Sequence, residues 1–229
     1  MSISSPDRRS FVPALGLHGL TGFYDRLIAR FLDEQAWKMR LVAAVAPSVG
    51  DVIVDVGSGT GTLAILLAQA CPEATVVGVD PDPVQIRRAA AKARSAGPSI
   101  RFDQGLAEAL PLGDGEASVV VSSLTLHHLQ RSAKRAALAE AHRVLRPGGR
   151  IVIADWARPD DRLMRLAFLP VQVFDGFPNT EDNRLGLLPG LVREAGFVEV
   201  QETYRRRTIL GNLAFIVATK PDNASPASA

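Results

Sequence analysis

Two kinds of apolar run alternate along the middle of the chain. "DVIVDVG" (51–57), "ATVVGVD" (74–80) and "ASVVVSS" (117–123) are short, nearly continuous and rich in valine. That is the pattern of a strand buried on both faces. "TLAILLAQA" (62–70), "PVQIRRAAAKARSA" (83–96) and "SAKRAALAEAHRVL" (132–145) read instead as helices. Gly97 is a stop signal for the second, and Pro147-Gly148-Gly149 halts the third. "SIRFDQ" (99–104) and "RIVIADW" (150–156) add two more strands. Alternation on this scale predicts an α/β fold with a doubly wound, mostly parallel sheet and right-handed crossovers.

The two ends read differently. Residues 1–19 look like a loosely ordered arm. Over 20–47 the pattern is helical: Phe23, Leu27, Phe31, Leu32, Trp37, Leu41 and Val45 recur at three- and four-residue steps until Pro47. Residues 48–156, which hold the alternating strands and helices, are expected to form the ligand-binding core. After the fifth strand, 157–186 fits neither period and is rich in large apolar side chains, among them Leu163, Leu166, Phe168, Val173, Phe174 and Phe177. It sits where an open sheet places its ligand-binding loops, so it is predicted to cap the substrate site. Over 187–220 a helix with Gly196 as its stop precedes "VEVQETYRR" and "NLAFIVATK", an antiparallel hairpin that closes one edge and brings the strand count to seven. Residues 221–229 are small and polar and are expected to fray. The whole is expected to be one domain.

Composition narrows the function classes. Of 229 residues 47% are hydrophobic and 22% charged, with a net charge of +2, too mild to imply nucleic acid as the main partner. The one basic run, Arg205-Arg206-Arg207, reads as a solvated strand end, with an anion or peripheral membrane contact as the alternative. The single cysteine, Cys71, excludes an intramolecular disulfide and a thiolate zinc cluster, which fits a reducing cytoplasm. No metal is expected, and no run approaches the roughly 20 apolar residues of a membrane span.

The chemistry concentrates in "VDVGSGTGTLAI" (54–65). Gly57, Gly59 and Gly61 let backbone approach a ligand closely at the start of a helix. A dinucleotide fold uses G-x-G-x-x-G for a pyrophosphate; here the spacing is G-x-G-x-G, and Asp55 puts an anion at the mouth of the turn. A carboxylate would repel phosphate and suit a ligand carrying an ammonium. Asp80 ends the second strand 19 residues after Gly61, where an acid can accept from both hydroxyls of a ribose. A nucleoside with a cationic, non-phosphate arm meets both demands, and S-adenosylmethionine is such a molecule.

Four stretches in order, "VDVGSGTG", "VVGVDPDP", "ALPLGDGEASVVVSSLTLHHL" and "RVLRPGGRIVIAD", resemble the successive motifs of class I S-adenosylmethionine-dependent methyltransferases. The likeness is to the small-molecule branch that includes quinone-ring C-methyltransferases, and it covers roughly residues 20–219. It implies a methyl transfer by in-line displacement that leaves S-adenosylhomocysteine. It assigns Asp55, Gly57, Ser58, Gly59 and Gly61 to the methionine moiety, Asp80 to the ribose and Pro81 to a place beside adenine. It also puts Leu106, Ala107 and Glu108 in the adenine segment and the Ser122 and Ser123 hydroxyls near the transferable methyl. Many relatives carry an aspartate where this chain has Leu106. A non-catalytic nucleoside-binding protein of the same fold is the alternative, with a nicotinamide oxidoreductase a distant third.

His127 and His128 follow the fourth strand, and on a strand or loop at most one would face the site. His127 is the candidate general base; helix capping or space filling is the alternative for both. Asp155 ends the fifth strand and reads equally as a substrate-facing acid or a turn acid. His142, inside a helix, reads as structural. Tyr24, in the N-terminal helix as "FYDRL", is a second candidate contact. The phenylalanines of the cap suggest an apolar or aromatic small-molecule acceptor, with a homodimer interface or plain core as the alternative.

Overall fold

The computed structural model describes residues 34–222. The arm, Tyr24 and the first part of the expected N-terminal helix lie outside them, as do residues 223–229. Strands β1 (Val52–Val56), β2 (Thr75–Asp80), β3 (Arg101–Gln104), β4 (Ala117–Ser123) and β5 (Leu145–Ala157) pair in parallel, as the apolar runs predict. β6 (Val198–Thr208) and β7 (Gly211–Thr219) form the antiparallel hairpin, and β7 docks antiparallel on β5. The sheet order is β3-β2-β1-β4-β5-β7-β6.

Side-chain alternation divides the core between the two faces of this sheet. Ile53, Val76, Val119, Val121, Val152 and Ala154 meet one helical layer, made by α1 (Glu34–Val45) and α2 (Thr62–Ala70). Trp37 and Leu41 of α1 and Leu63 and Leu67 of α2 are its anchors. Val54, Val56, Val120, Ile151 and Ile153 meet the opposite layer. Its helices are α4 (Arg131–Val144) and α8 (Leu188–Glu194), following α3 (Pro83–Ala96) in chain order. The period of two sends each strand's odd and even positions to different helices.

Element ends follow local chemistry. Asp82 caps α3 by accepting from the Val84 amide, with Pro83 at the first helical position and Gly97 at φ 101° closing it. α4 ends at Val144, and β5 begins at once with Leu145 rather than after the Pro147-Gly148-Gly149 breaker. That breaker is absorbed as an irregularity: Leu145 pairs with Ala117, and the next pair is Arg150 with Val119.

Residues 157–186, which fit no single period, fold into three short helices: α5 (Arg162–Ala167), α6 (Leu169–Asp175) and α7 (Phe177–Leu185). Polar brackets join them to the rest. Asp182 of α7 is buried and accepts from Arg131 and from Lys134, whose amine is 3.3 Å away. Lys134 is fully buried and also donates to the Asn179 carbonyl. On the other side, Arg205 and Arg207 of β6 pair with Asp160 and Asp161 at 2.7 and 2.8 Å, so two members of the basic run hold the start of the cap.

Burial lowers the Lys134 pKa, and Asp182 is the charge that opposes this. Removing it strands a buried cation. Asp182→Asn is therefore expected to cost about 3–5 kcal/mol in urea unfolding, with the added change Lys134→Met recovering most of the loss. A cost below about 1 kcal/mol would show that the bracket is dispensable.

Candidate active site

Asp55 lies on the α1–α2 face of β1, in step with Ile53. Its side chain is 1% exposed, and neither carboxylate oxygen has a hydrogen-bond partner among the described residues. Burial pushes its pKa up to about 7, against the pull of Lys38. The Ala64 amide eases the cost slightly but closes no hydrogen bond. A buried, unpartnered carboxylate is costly, and a cationic ligand would relieve it.

The glycine turn itself is self-satisfied. The Gly57 and Ser58 amides donate to the Val79 carbonyl at 2.8 and 3.0 Å, and Gly61 donates to the Ser58 carbonyl at 2.9 Å. Gly57 has φ 74°, and a Cβ there would stand 2.2 Å from Thr125 Oγ1. Gly61 has φ 73°, and its Cβ would meet Ala89 and Phe102 at 2.9 Å. Both positions thus require glycine for space as well as for conformation. Ser58 Oγ is likewise buried with no partner among the described residues, and it lines the same cavity as Asp55.

Asp80, at the end of β2, braces this loop. Its Oδ2 accepts from the Gly59 amide and its Oδ1 from the Asp82 amide, each at 2.9 Å. Burial raises its pKa, while these two amides act to lower it. A cavity of about 320 Å³ opens between the turn and α1, lined by Asp55, Gly57, Ser58, Gly59, Thr60 and Ser123 on one side. Glu34, Trp37 and Lys38 of α1 complete it on the other, with Lys38 paired to Glu34 at 2.5 Å. A larger cleft, about 520 Å³, runs between α5 and the β6–β7 turn, but Arg206 and Arg207 are its only charged lining residues and it holds no acid.

Strand alternation sorts the remaining candidates. Ser122 is in step with Val120 and faces the α4 layer, where its buried Oγ has no partner among the described residues; its neighbour Ser123 lines the cavity. Pro81 is half-buried, and its carbonyl accepts from Gln104 at 3.1 Å. Leu106 is half-exposed in a small turn bridged to Ala109, with Ala107 packed against the core and Glu108 half-buried. None of Leu106, Ala107 and Glu108 lines the 320 Å³ cavity. Of the two serines expected at the site, Ser123 is the one that lines the cavity; sequence reasoning missed Glu34 and Lys38, for which their i, i+4 pair was the available signal.

The histidines occupy a 3₁₀ turn, Leu126–His128, and a network distinct from that cavity. His127 is buried, and its Nδ1 lies 2.8 Å from Asp155 Oδ1. Asp155 also accepts from the Trp156 amide at 2.7 Å and from Asn183 of α7 at 3.1 Å. Burial works to raise the Asp155 pKa, but the neighbouring His127 and these bonds outweigh it and hold the group below its ordinary value. His127 Nε2 stands 3.5 Å from Asp175 Oδ2, and His128 Nδ1 stands 3.4 Å from Asp175 Oδ1. Both rings therefore reach the same carboxylate, although only His127 is buried. His142 stacks edge-on against Phe197, as a structural histidine would.

Residues 53–149 match the family described as a methyltransferase domain. The chain is 34% identical over 164 residues to an uncharacterised methyltransferase of Synechocystis sp., covering 69% of this chain and 72% of that one. The chain belongs to the class I S-adenosylmethionine-dependent methyltransferases. It is 38% identical to the ubiquinone/menaquinone biosynthesis C-methyltransferase UbiE of Rubrivivax gelatinosus, but the match spans 60% of this chain and only 54% of that protein. Among solved structures, phosphoethanolamine N-methyltransferase 2 of Haemonchus contortus, in complex with S-adenosylhomocysteine, shares the fold at TM-score 0.68 and 14% identity. That likeness covers 82% of this chain and 53% of the other. The cofactor of this methyltransferase is S-adenosylmethionine, and nothing in these likenesses favours a non-catalytic binder.

Asp55 sets a pH dependence with a definite sign. Its folded pKa lies above the ordinary 3.8, so between about pH 4 and about pH 7 the folded chain holds a proton that the unfolded chain releases. Stability of the free methyltransferase should therefore fall across that window as pH rises, and stay reduced above it. Asp55→Asn should flatten the profile and stabilise the free protein at pH 8 by on the order of 2–4 kcal/mol in urea unfolding. A variant no more stable than the parent at pH 8 would mean that Asp55 is hydrated or paired.

Proposed function

We propose that this methyltransferase holds S-adenosylmethionine between Asp55 and Asp80 and methylates a reduced quinone-like ring. The observation that carries the cofactor's placement is the buried Asp55 carboxylate, without a hydrogen-bond partner among the described residues, beside a second acid at the end of the neighbouring strand. Asp55 faces the ammonium and sulfonium end, and Asp80 accepts from the ribose hydroxyls. Gly57, Ser58, Gly59 and Gly61 shape the wall against the methionine arm. Pro81, Leu106, Ala107 and Glu108 flank the adenine. Because Asp80 also accepts from Gly59, ribose binding and loop shape are tied to one side chain.

Two features support an apolar aromatic acceptor. The helices of the cap expose Leu163, Leu166, Val173, Phe174 and Phe177, an unusual density of large apolar side chains beside the carboxyl edge of a sheet. The Rubrivivax relative is, by its name, a C-methyltransferase of ubiquinone and menaquinone biosynthesis. In the reaction a ring carbon of the hydroquinone attacks the methyl carbon as the C–S bond breaks. S-adenosylhomocysteine leaves as a neutral thioether, and the ring proton passes to solvent. The protein contributes mainly alignment and exclusion of water. In this reading His127 and Asp155 position the cap over the acceptor, through Asn183.

The test has two arms. Titration calorimetry with S-adenosylhomocysteine should show one site, weakened by on the order of 2–4 kcal/mol in Asp80→Ala. Methyl transfer from labelled S-adenosylmethionine should then be seen with a short-chain demethylated naphthohydroquinone, and the product should carry the methyl on carbon. An unchanged affinity in Asp80→Ala would remove Asp80 from the cofactor site. Tight cofactor binding with no methylation of the naphthohydroquinone would leave the cofactor site standing and overturn the quinone reading.

A further inference from the structure

We propose that His127 Nε2, His128 Nδ1 and the Asp175 carboxylate form a binding site for one divalent transition-metal ion of the zinc type. The three residues offer ligand atoms that all lie within 4.8 Å of one another. The two histidine–carboxylate separations, 3.5 and 3.4 Å, are longer than good hydrogen bonds. They match the edge of a tetrahedron around zinc, about 3.3 Å for metal–ligand bonds near 2.0–2.1 Å. Closing the set on an ion needs a shift on the order of an ångström, which the exposed His128 ring can supply.

The surroundings are those of a ligand rather than of a packed histidine. Asp155 sits 2.8 Å from His127 Nδ1 and is itself fixed by the Trp156 amide and Asn183. A carboxylate on one ring nitrogen keeps the proton there and turns the lone pair of the other outward, the arrangement that orients metal-bound imidazoles. That lone pair on Nε2 faces Asp175 Oδ2, an acceptor. Two acceptors do not attract unless a cation stands between them. With neutral rings the cluster carries two carboxylate charges, from Asp155 and Asp175, which a divalent ion balances. Two imidazole nitrogens and one carboxylate suit zinc, cobalt or nickel better than magnesium or calcium.

The site also has a mechanical consequence. Asp175 ends α6, whereas His127 and His128 follow β4, so the ion would pin the cap to the carboxyl edge of the sheet. The fourth coordination position is left for water or an oxygen of a bound molecule. This inference does not depend on which acceptor is methylated.

Untagged protein stripped with chelator and titrated with Co²⁺ provides the test, because four-coordinate cobalt has an intense visible d–d spectrum. One equivalent should bind, with zinc displacing it. Asp175→Asn and His128→Ala, both at positions outside the apolar core, should each weaken binding by about 10-fold to 100-fold. His142→Gln, in a different helix, should leave it unchanged. Zinc should also slow proteolysis within residues 157–186 in the parent and not in Asp175→Asn. Absence of a cobalt band, or binding that survives both substitutions, would overturn the site.

Discussion

A carboxylate with no hydrogen-bond partner among the described residues, buried beneath a helix at the end of a parallel strand, is the constraint around which this methyltransferase is arranged. Asp55 is in step with Ile53 and so must point into the layer made by α1 and α2. The rest of the strand is apolar, and the layer it meets is built from Trp37, Leu41, Leu63 and Leu67. Water is thereby excluded from the acid, and the folded chain tolerates it by raising its pKa. Such a group weakens the free protein and strengthens the bound one. Lys38, drawn toward it from α1 and paired with Glu34, moderates the cost without cancelling it.

The second organising device is a set of polar brackets that hold the cap. Asp182 gathers Arg131 and Lys134, Asp155 gathers His127 and Asn183, and Arg205 and Arg207 reach Asp160 and Asp161. The first two are buried and therefore geometrically demanding; the last two are exposed and contribute little energy. This division leaves large apolar side chains of α5, α6 and α7 outward, among them Leu163, Leu166, Val173 and Phe177. It also places Asp175 against two imidazoles, the juxtaposition from which the metal site is inferred.

Much of this was legible before any coordinates. Doubly buried parallel strands advertise themselves by continuous valine, and Asp55 and Asp80 stand out because each ends such a run at the spacing of a nucleoside site. What could not be read was which face of a strand meets the ligand. Ser122 and Ser123 are equivalent on paper, and only the helices above them put Ser123 at the cavity. The partners of His127 are 28 and 48 residues downstream, at Asp155 and Asp175, and no local period reports such a contact. Residues 157–186 hid three helices because each is short and exposes large apolar residues, while the buried side of α7 is polar, made by Thr180, Asp182 and Asn183.

The central claim is that Asp55 is a buried acid waiting for a cation, and carboxyl carbon resonances of aspartate-labelled protein test it most directly. In the free protein Asp55 should titrate near 7, about three units above an exposed aspartate. With saturating S-adenosylmethionine the same resonance should titrate well below its free value, because the ligand's charge stabilises the carboxylate. An Asp55 that titrates in the ordinary carboxylate range in the free protein, or whose pKa does not fall on binding, would contradict the account.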